Sequence, residues 1–173
     1  MQETAQQYIQ RILSNVEGED ALKVQKATPG KIKKLILGLT PKQLKWKPEP
    51  GTWSIGEIVA HLADAEIVGS WRMRLIAGAS GTTVQPCDQD VWASLFQYGK
   101  RDAKQSLEVF RVLRENNLAM LKALPRDSWD NFGMHAERGK ETITHVVRMF
   151  AGHDTNHVKQ IEGIAAQLKK KRK

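Results

Sequence analysis

A single cysteine, Cys87, stands in the whole chain, so the sequence can build neither an internal disulfide nor a thiolate metal cage. That scarcity fits a reducing, cytoplasmic setting. Long apolar runs are also missing, and none approaches the roughly 18 residues that a membrane helix needs. The opening Met1-Gln2-Glu3-Thr4 has neither the basic nor the apolar stretch of a secretory leader. No segment alternates apolar and polar residues over the length of a strand, which argues against a β architecture. No period of roughly 20 to 50 residues recurs, which excludes solenoids and propellers. Zinc-finger spacing and basic patches interleaved with aromatics are absent too.

The formal charge of +8 raises the question of nucleic acid, but its placement answers it. Lys169, Lys170, Lys171, Arg172 and Lys173 carry five of those charges, and removing five from +8 leaves an ordinary +3 on the body. A terminal basic run reads as a solvated helix end whose cations complement the helix dipole. Neither nucleic acid nor a membrane is an expected partner.

What is present is a helical vocabulary. Hydrophobic residues make up 40% and charged residues 27% of 173, enough for one real core. We expect a single domain over residues 1–168 and a basic tail over 169–173. Ser54 and Glu57 form a capping box, with Trp53 and Ile58 spaced as a hydrophobic staple. They open a helix predicted over about 55–76. Thr28-Pro29 and Thr40-Pro41 each set a capping hydroxyl before a proline at the first helical position, predicting short helices over 29–37 and 41–46. Further helices are expected over about 3–15, 90–97 and 102–124. Thr142 caps a last one running to about 169. Residues 127–140, interrupted by Gly133 and Gly139, read as an irregular connector. The fold class is therefore all-α, a four-helix bundle with additional short helices.

The histidines carry the chemistry. His153 and His157 fall in the apolar stripe of the last helix with Val147, Phe150, Ile161 and Ile164. Their i, i+4 spacing aims both imidazoles at one point. Two readings stand for the pair alone: metal ligands, or core-edge histidines bonded to side chains and water. It is not the zincin motif, since Asp154 follows His153 where that motif needs glutamate. His61, on the shoulder of the apolar arc of the capping-box helix, is the candidate third corner. Three imidazoles leave a position for water or substrate, as catalytic zinc sites do. His135 reads as exposed and His145 as off the stripe, so neither is an expected ligand.

Several acids need a partner or a role. Glu57 is explained by the capping box, yet it lies one turn before His61 and could orient that ring. Asp64 could support His61 or be a surface acid. Glu66 falls inside the apolar arc and demands an arginine or a neighbouring subunit, and Asp154 raises the same question. Gln160, one turn past His157, could reach the site or another helix.

The run Trp53-Ser54-Ile55-Gly56-Glu57-Ile58-Val59-Ala60-His61-Leu62-Ala63-Asp64-Ala65-Glu66 resembles the central motif of the DinB/YfiT-like metalloenzyme superfamily. Gly152-His153-Asp154-Thr155-Asn156-His157-Val158-Lys159-Gln160-Ile161 resembles its second motif, and the resemblance spans nearly the whole chain. It implies a four-helix bundle, usually a homodimer, with zinc or nickel held by His61, His153 and His157. It also implies chemistry on a small-molecule substrate, as a hydrolase or as a transferase using a low-molecular-weight thiol such as bacillithiol or mycothiol. A metal-binding or metal-free, stress-related binding module without turnover, on the same bundle, is the alternative. Cys87, in a loop, is required by neither.

Overall fold

The computed structural model describes residues 3–171; Arg172 and Lys173 of the basic tail, and Met1 and Gln2, lie outside the described residues. In chain order the elements are α1 (Ala5–Ser14), α2 (Ala21–Ile36), α3 (Pro41–Leu44), α4 (Ile55–Gly78), β1 (Thr82–Val84) and α5 (Gln89–Leu95). A 3-10 turn (Tyr98–Lys100), α6 (Ala103–Ala123), a second 3-10 turn (Arg126–Asp130), β2 (Phe132–His135), β3 (Gly139–Thr142) and α7 (Ile143–Lys170) complete it. Helices α2, α4, α6 and α7 form the bundle, and α1 lies along α7. Among the described residues no helix is long and apolar enough to cross a membrane.

Helix α4 is the centre of the bundle. Residues 55–64 are buried without a break, so this helix is covered on all sides rather than along one stripe. Its start follows the sequence reading: Ser54 accepts from the Glu57 amide while Glu57 Oε2 accepts from the Ser54 amide at 2.8 Å. Ile58, Leu62, Phe110, Ile161 and Ile32 fill the core at one end, with Trp53 packed against it. Met73, Ile76, Leu121, Ile143 and Val147 fill the other. Each fully buried side chain of this size contributes about 1.5–3 kcal/mol of transfer free energy.

Two expectations are corrected. Thr28 and Pro29 do not open a helix; they lie inside α2, which starts earlier at the Asp20 cap. Proline removes the amide that would bond the carbonyl of Gln25. That carbonyl instead accepts from Arg114 Nη1 at 3.1 Å, so a helix interior tolerates proline because a buried guanidinium takes the freed acceptor. Thr28 turns its hydroxyl back onto the Val24 carbonyl, 3.0 Å away, instead of capping.

The second correction is the connector. Residues 127–140 hold most of the second 3-10 turn, all of β2 and the start of β3, and these strands join β1 in a small sheet of order β1-β2-β3. β1 runs parallel to β2, pairing Thr82 with Gly133, and β2 runs antiparallel to β3, pairing Phe132 with Thr142. Strands of three and four residues are too short to show a period, which is why the pattern missed them. Gly133 is required where the sheet meets α4: a Cβ there would sit 2.5 Å from Val84 Cγ2 and 3.0 Å from Ile76 Cγ1. His135, expected to be exposed, is buried in this sheet, and its Nδ1 accepts the amides of Glu137 and Arg138 to close the β2–β3 turn.

The basic end continues α7 through Lys170, and Lys171 lies over the Trp46 ring at 4.2 Å.

Candidate metal centre

The two motif helices bring their histidines together. His61 on α4 and His153 on α7 approach with Nε2 atoms 3.0 Å apart, and the Nε2 atoms of His153 and His157 lie 3.1 Å apart. One ligand nitrogen from each ring falls within 4.8 Å of the others. His61 and His157 are buried, and His153 is half-buried where the cluster meets a cavity. His135 and His145 stand apart. His145 sits at the start of α7, 3.9 Å from Glu141.

Proton placement shows what the cluster fits. His157 Nδ1 meets Gln160 Oε1 at 2.7 Å. An amide oxygen only accepts, so Nδ1 carries the proton and His157 Nε2 presents a bare lone pair. If His153 Nε2 is protonated, its single hydrogen serves one of its two close neighbours. If it is bare, it faces His157 lone pair to lone pair. With neutral rings, one contact is therefore always unsatisfied. Charging a ring is no escape: burial, reinforced by His157, lowers His61 to about 3, and burial lowers His157 to about 4. His153 is likewise driven well down, by burial first and then by its two neighbours. Three unprotonated nitrogens converging on one point are what a cation resolves.

The surroundings hold the rings in place. Trp53 stacks on His157, with centroids 6.5 Å apart and planes at 11°, and lies 5.0 Å from His61. Phe150 lies beside His153 at 6.3 Å. Behind them, Arg114 on α6 is 1% exposed and spans Glu66 of α4 and Asp154 of α7. Its bonds are 3.0 and 2.7 Å to Glu66 and 2.5 and 3.2 Å to Asp154. Asn117 adds a 2.7 Å bond to Glu66. The puzzle of both buried acids is thus solved by one arginine within the chain, and Glu66 gives no ground for a neighbouring subunit.

Glu57 and Asp64 are buried but engaged elsewhere. Glu57 Oε1 pairs with Lys47 at 2.8 Å, while Oε2 serves the capping box. Asp64 pairs with Arg101 at 2.8 Å beside Tyr98, whose phenol is raised by burial and then by that carboxylate.

Cavities flank the cluster. One of about 150 Å³ is lined by His61, His153, Ala65, Val68, Phe150 and Arg72, among others. Another of about 450 Å³ is lined by Trp53, His157 and Gln160. Sequence reasoning missed Arg72, although a signal existed. His61, Ala65, Val68 and Arg72 stand at i, i+4, i+7 and i+11, which is one face of one helix.

A helical bundle whose middle and last helices converge three imidazoles beside a cavity is an arrangement that could hold a metal ion. The chain belongs to the DinB superfamily, whose family model matches residues 26–161. It is similar to "Putative metal-dependent hydrolase YfiT" of Bacillus subtilis, 23% identical over 90% of this chain and 88% of the relative. A hydrolase of the same description from Oceanobacillus iheyensis is 24% identical over 79% of this chain and 78% of its own length. The solved structure of Bacillus subtilis YfiT, a four-helix bundle of unusual topology, superposes with a TM-score of 0.80 at 21% identity, covering 86% of this chain and 85% of that one.

Proposed function

We propose that this protein is a metal-dependent hydrolase of small molecules, with one divalent ion held by His61, His153 and His157. The observation that carries the reading is the Nε2 convergence at 3.0 and 3.1 Å, which protons cannot satisfy. Imidazole donors suit zinc or nickel. When bound, such an ion supplies Lewis acidity, polarising a carbonyl or acidifying water.

The chain's own residues do the rest. Gln160 fixes the tautomer of His157, so its Nε2 faces inward without a proton. Trp53 and Phe150 wall the rings and keep the local dielectric low. The cavity beside His61 and His153 admits the substrate and orients it. We place Glu57 and Asp64 outside the reacting groups, because Lys47 and Ser54 hold both Glu57 oxygens and Arg101 holds Asp64 Oδ1.

Metal analysis of protein purified without a nickel column tests the ligand set. About one divalent ion per chain is expected, lost in His153→Ala or His157→Ala while the helical circular dichroism survives. Stoichiometric metal in a variant lacking both would overturn it. The loaded protein should hydrolyse members of an ester and amide panel. Turnover that requires an added low-molecular-weight thiol would move the reaction to thiol transfer on the same site.

A further inference from the structure

Arg72 is out of place for a structural arginine. It is half-buried in the wall of the 150 Å³ cavity, three helical turns along the same face of α4 from His61. Among the described residues its hydrogen bonds go to the Gln85 carbonyl and to the Cys87 sulfur at 3.8 Å. The other arginine lining the cavity, Arg138, is neutralised by a bidentate pair with Glu141 at 2.7 and 3.0 Å. Arg101 and Arg114 likewise meet carboxylates, and half-buried Arg74, which lines no part of this cavity, is held by four bonds to Ser70, Asn116 and Asn117. Arg72 bonds no carboxylate, and burial first of all works against its charge, offset in part by Cys87 and by the more distant Glu141.

A guanidinium withdrawn from water without an anion is costly, and it is the group best shaped to take a planar carboxylate through two parallel bonds. Ala65, Val68, Trp92, Met149 and Phe150 supply apolar wall to the same cavity, with Tyr8, Gln89 and Tyr98 as polar exceptions. A cavity of about 150 Å³ is the size that accommodates one benzene-like body. One cavity lining thus combines a guanidinium three helical turns from His61, apolar wall, and the imidazoles of His61 and His153.

We propose that Arg72 is the specificity-determining residue for the substrate class: small amphipathic carboxylates whose anionic group binds Arg72 and whose apolar body fills the cavity. That the far end of the molecule is the one that reacts, next to His61 and His153, rests on the hydrolase reading. Capture of the carboxylate by Arg72 does not.

Cys87 gives the assay. It is exposed, unique in the chain and beside Arg72. A ligand on the guanidinium should slow its alkylation by iodoacetamide. The full-length protein is examined metal-free after chelation and again zinc-loaded, with phenylacetate as probe and the neutral phenylacetamide as control. Saturable protection by phenylacetate is expected in both forms, with little from the amide. Arg72→Gln keeps a donor for the Gln85 carbonyl but removes the charge, and should raise the concentration for half-protection at least tenfold. Arg72→Lys should recover part of the effect. Thermal melts confirm that each variant is folded.

Equal protection by the amide, or unchanged protection in Arg72→Gln, overturns the proposal. Protection confined to the zinc-loaded form and indifferent to Arg72 also overturns it, because the anion then belongs to the metal and the metal reading stands. Conversely, Arg72-dependent protection in protein that takes up no metal upholds the carboxylate site while the hydrolase reading falls.

Discussion

Replacing Arg114 by methionine should be among the most damaging single changes available outside the histidine cluster. The side chain is 1% exposed and makes five hydrogen bonds, four of them to the carboxylates of Glu66 and Asp154 and one to the Gln25 carbonyl. Methionine fills similar space, so the cavity contribution is small and electrostatics decide. Two carboxylates, 2% and 1% exposed, would be left without their cation. Removing one partner of a buried pair costs about 3–5 kcal/mol. In a chain of this length each kcal/mol lowers Tm by about 2–4 °C, so the expected fall is about 6–20 °C. The cost has a pH signature. Burial already raises Asp154, and without Arg114, which opposes that rise, its folded-state pKa would stand further above the unfolded one. A protonated Asp154 then fits the dry site, so the variant's stability is greatest in acid and is lost as pH rises through the raised value. Melts by circular dichroism at pH 5 and pH 8 read both effects. The triple variant Arg114→Met, Glu66→Gln, Asp154→Asn should recover much of the loss, since no charge remains unpaired. A loss under about 1 kcal/mol at pH 8, or one that is independent of pH, refutes the reasoning.

Two further outcomes follow from the same packing. The metal-free protein should lose stability as pH falls below about 6.5, the ordinary histidine value, and the decline should flatten below about 3–4. His61 at about 3 and His157 at about 4 stay neutral in the fold while the unfolded chain takes up protons, so a melting temperature level from pH 7 to 4 would contradict this. Gly152→Ala should destabilise by about 1–3 kcal/mol or more, because its Cβ would lie 2.1 Å from the Ile12 carbonyl, which belongs to backbone of α1 and cannot turn aside. A variant as stable as the parent in urea would show that α1 is not packed on α7 as described.

The division between sequence and tertiary structure runs along the range of the interactions. Caps, amphipathic stripes and i, i+4 spacings act within one or two turns. The bounds of α4, α6 and α7, and the common direction of His153 and His157, were therefore readable from the chain, and so was the anomaly of Glu66 and Asp154 on apolar faces. Their partner was not, because Arg114 comes from a helix 40 residues from Asp154 and 48 from Glu66, and no local pattern encodes that meeting. The interior placement of Pro29 and the burial of His135 are of the same kind. The proline is tolerated because a side chain from α6 reaches its freed carbonyl, and the histidine is covered by a sheet whose strands are too short to announce themselves. By itself the sequence determined which residues could hold a metal. That the rings from α4 and α7 meet at 3.0 Å, and that Arg72 stands free of a carboxylate in the same cavity, was decided by packing, because distance in space is a property of the bundle and not of any segment in it.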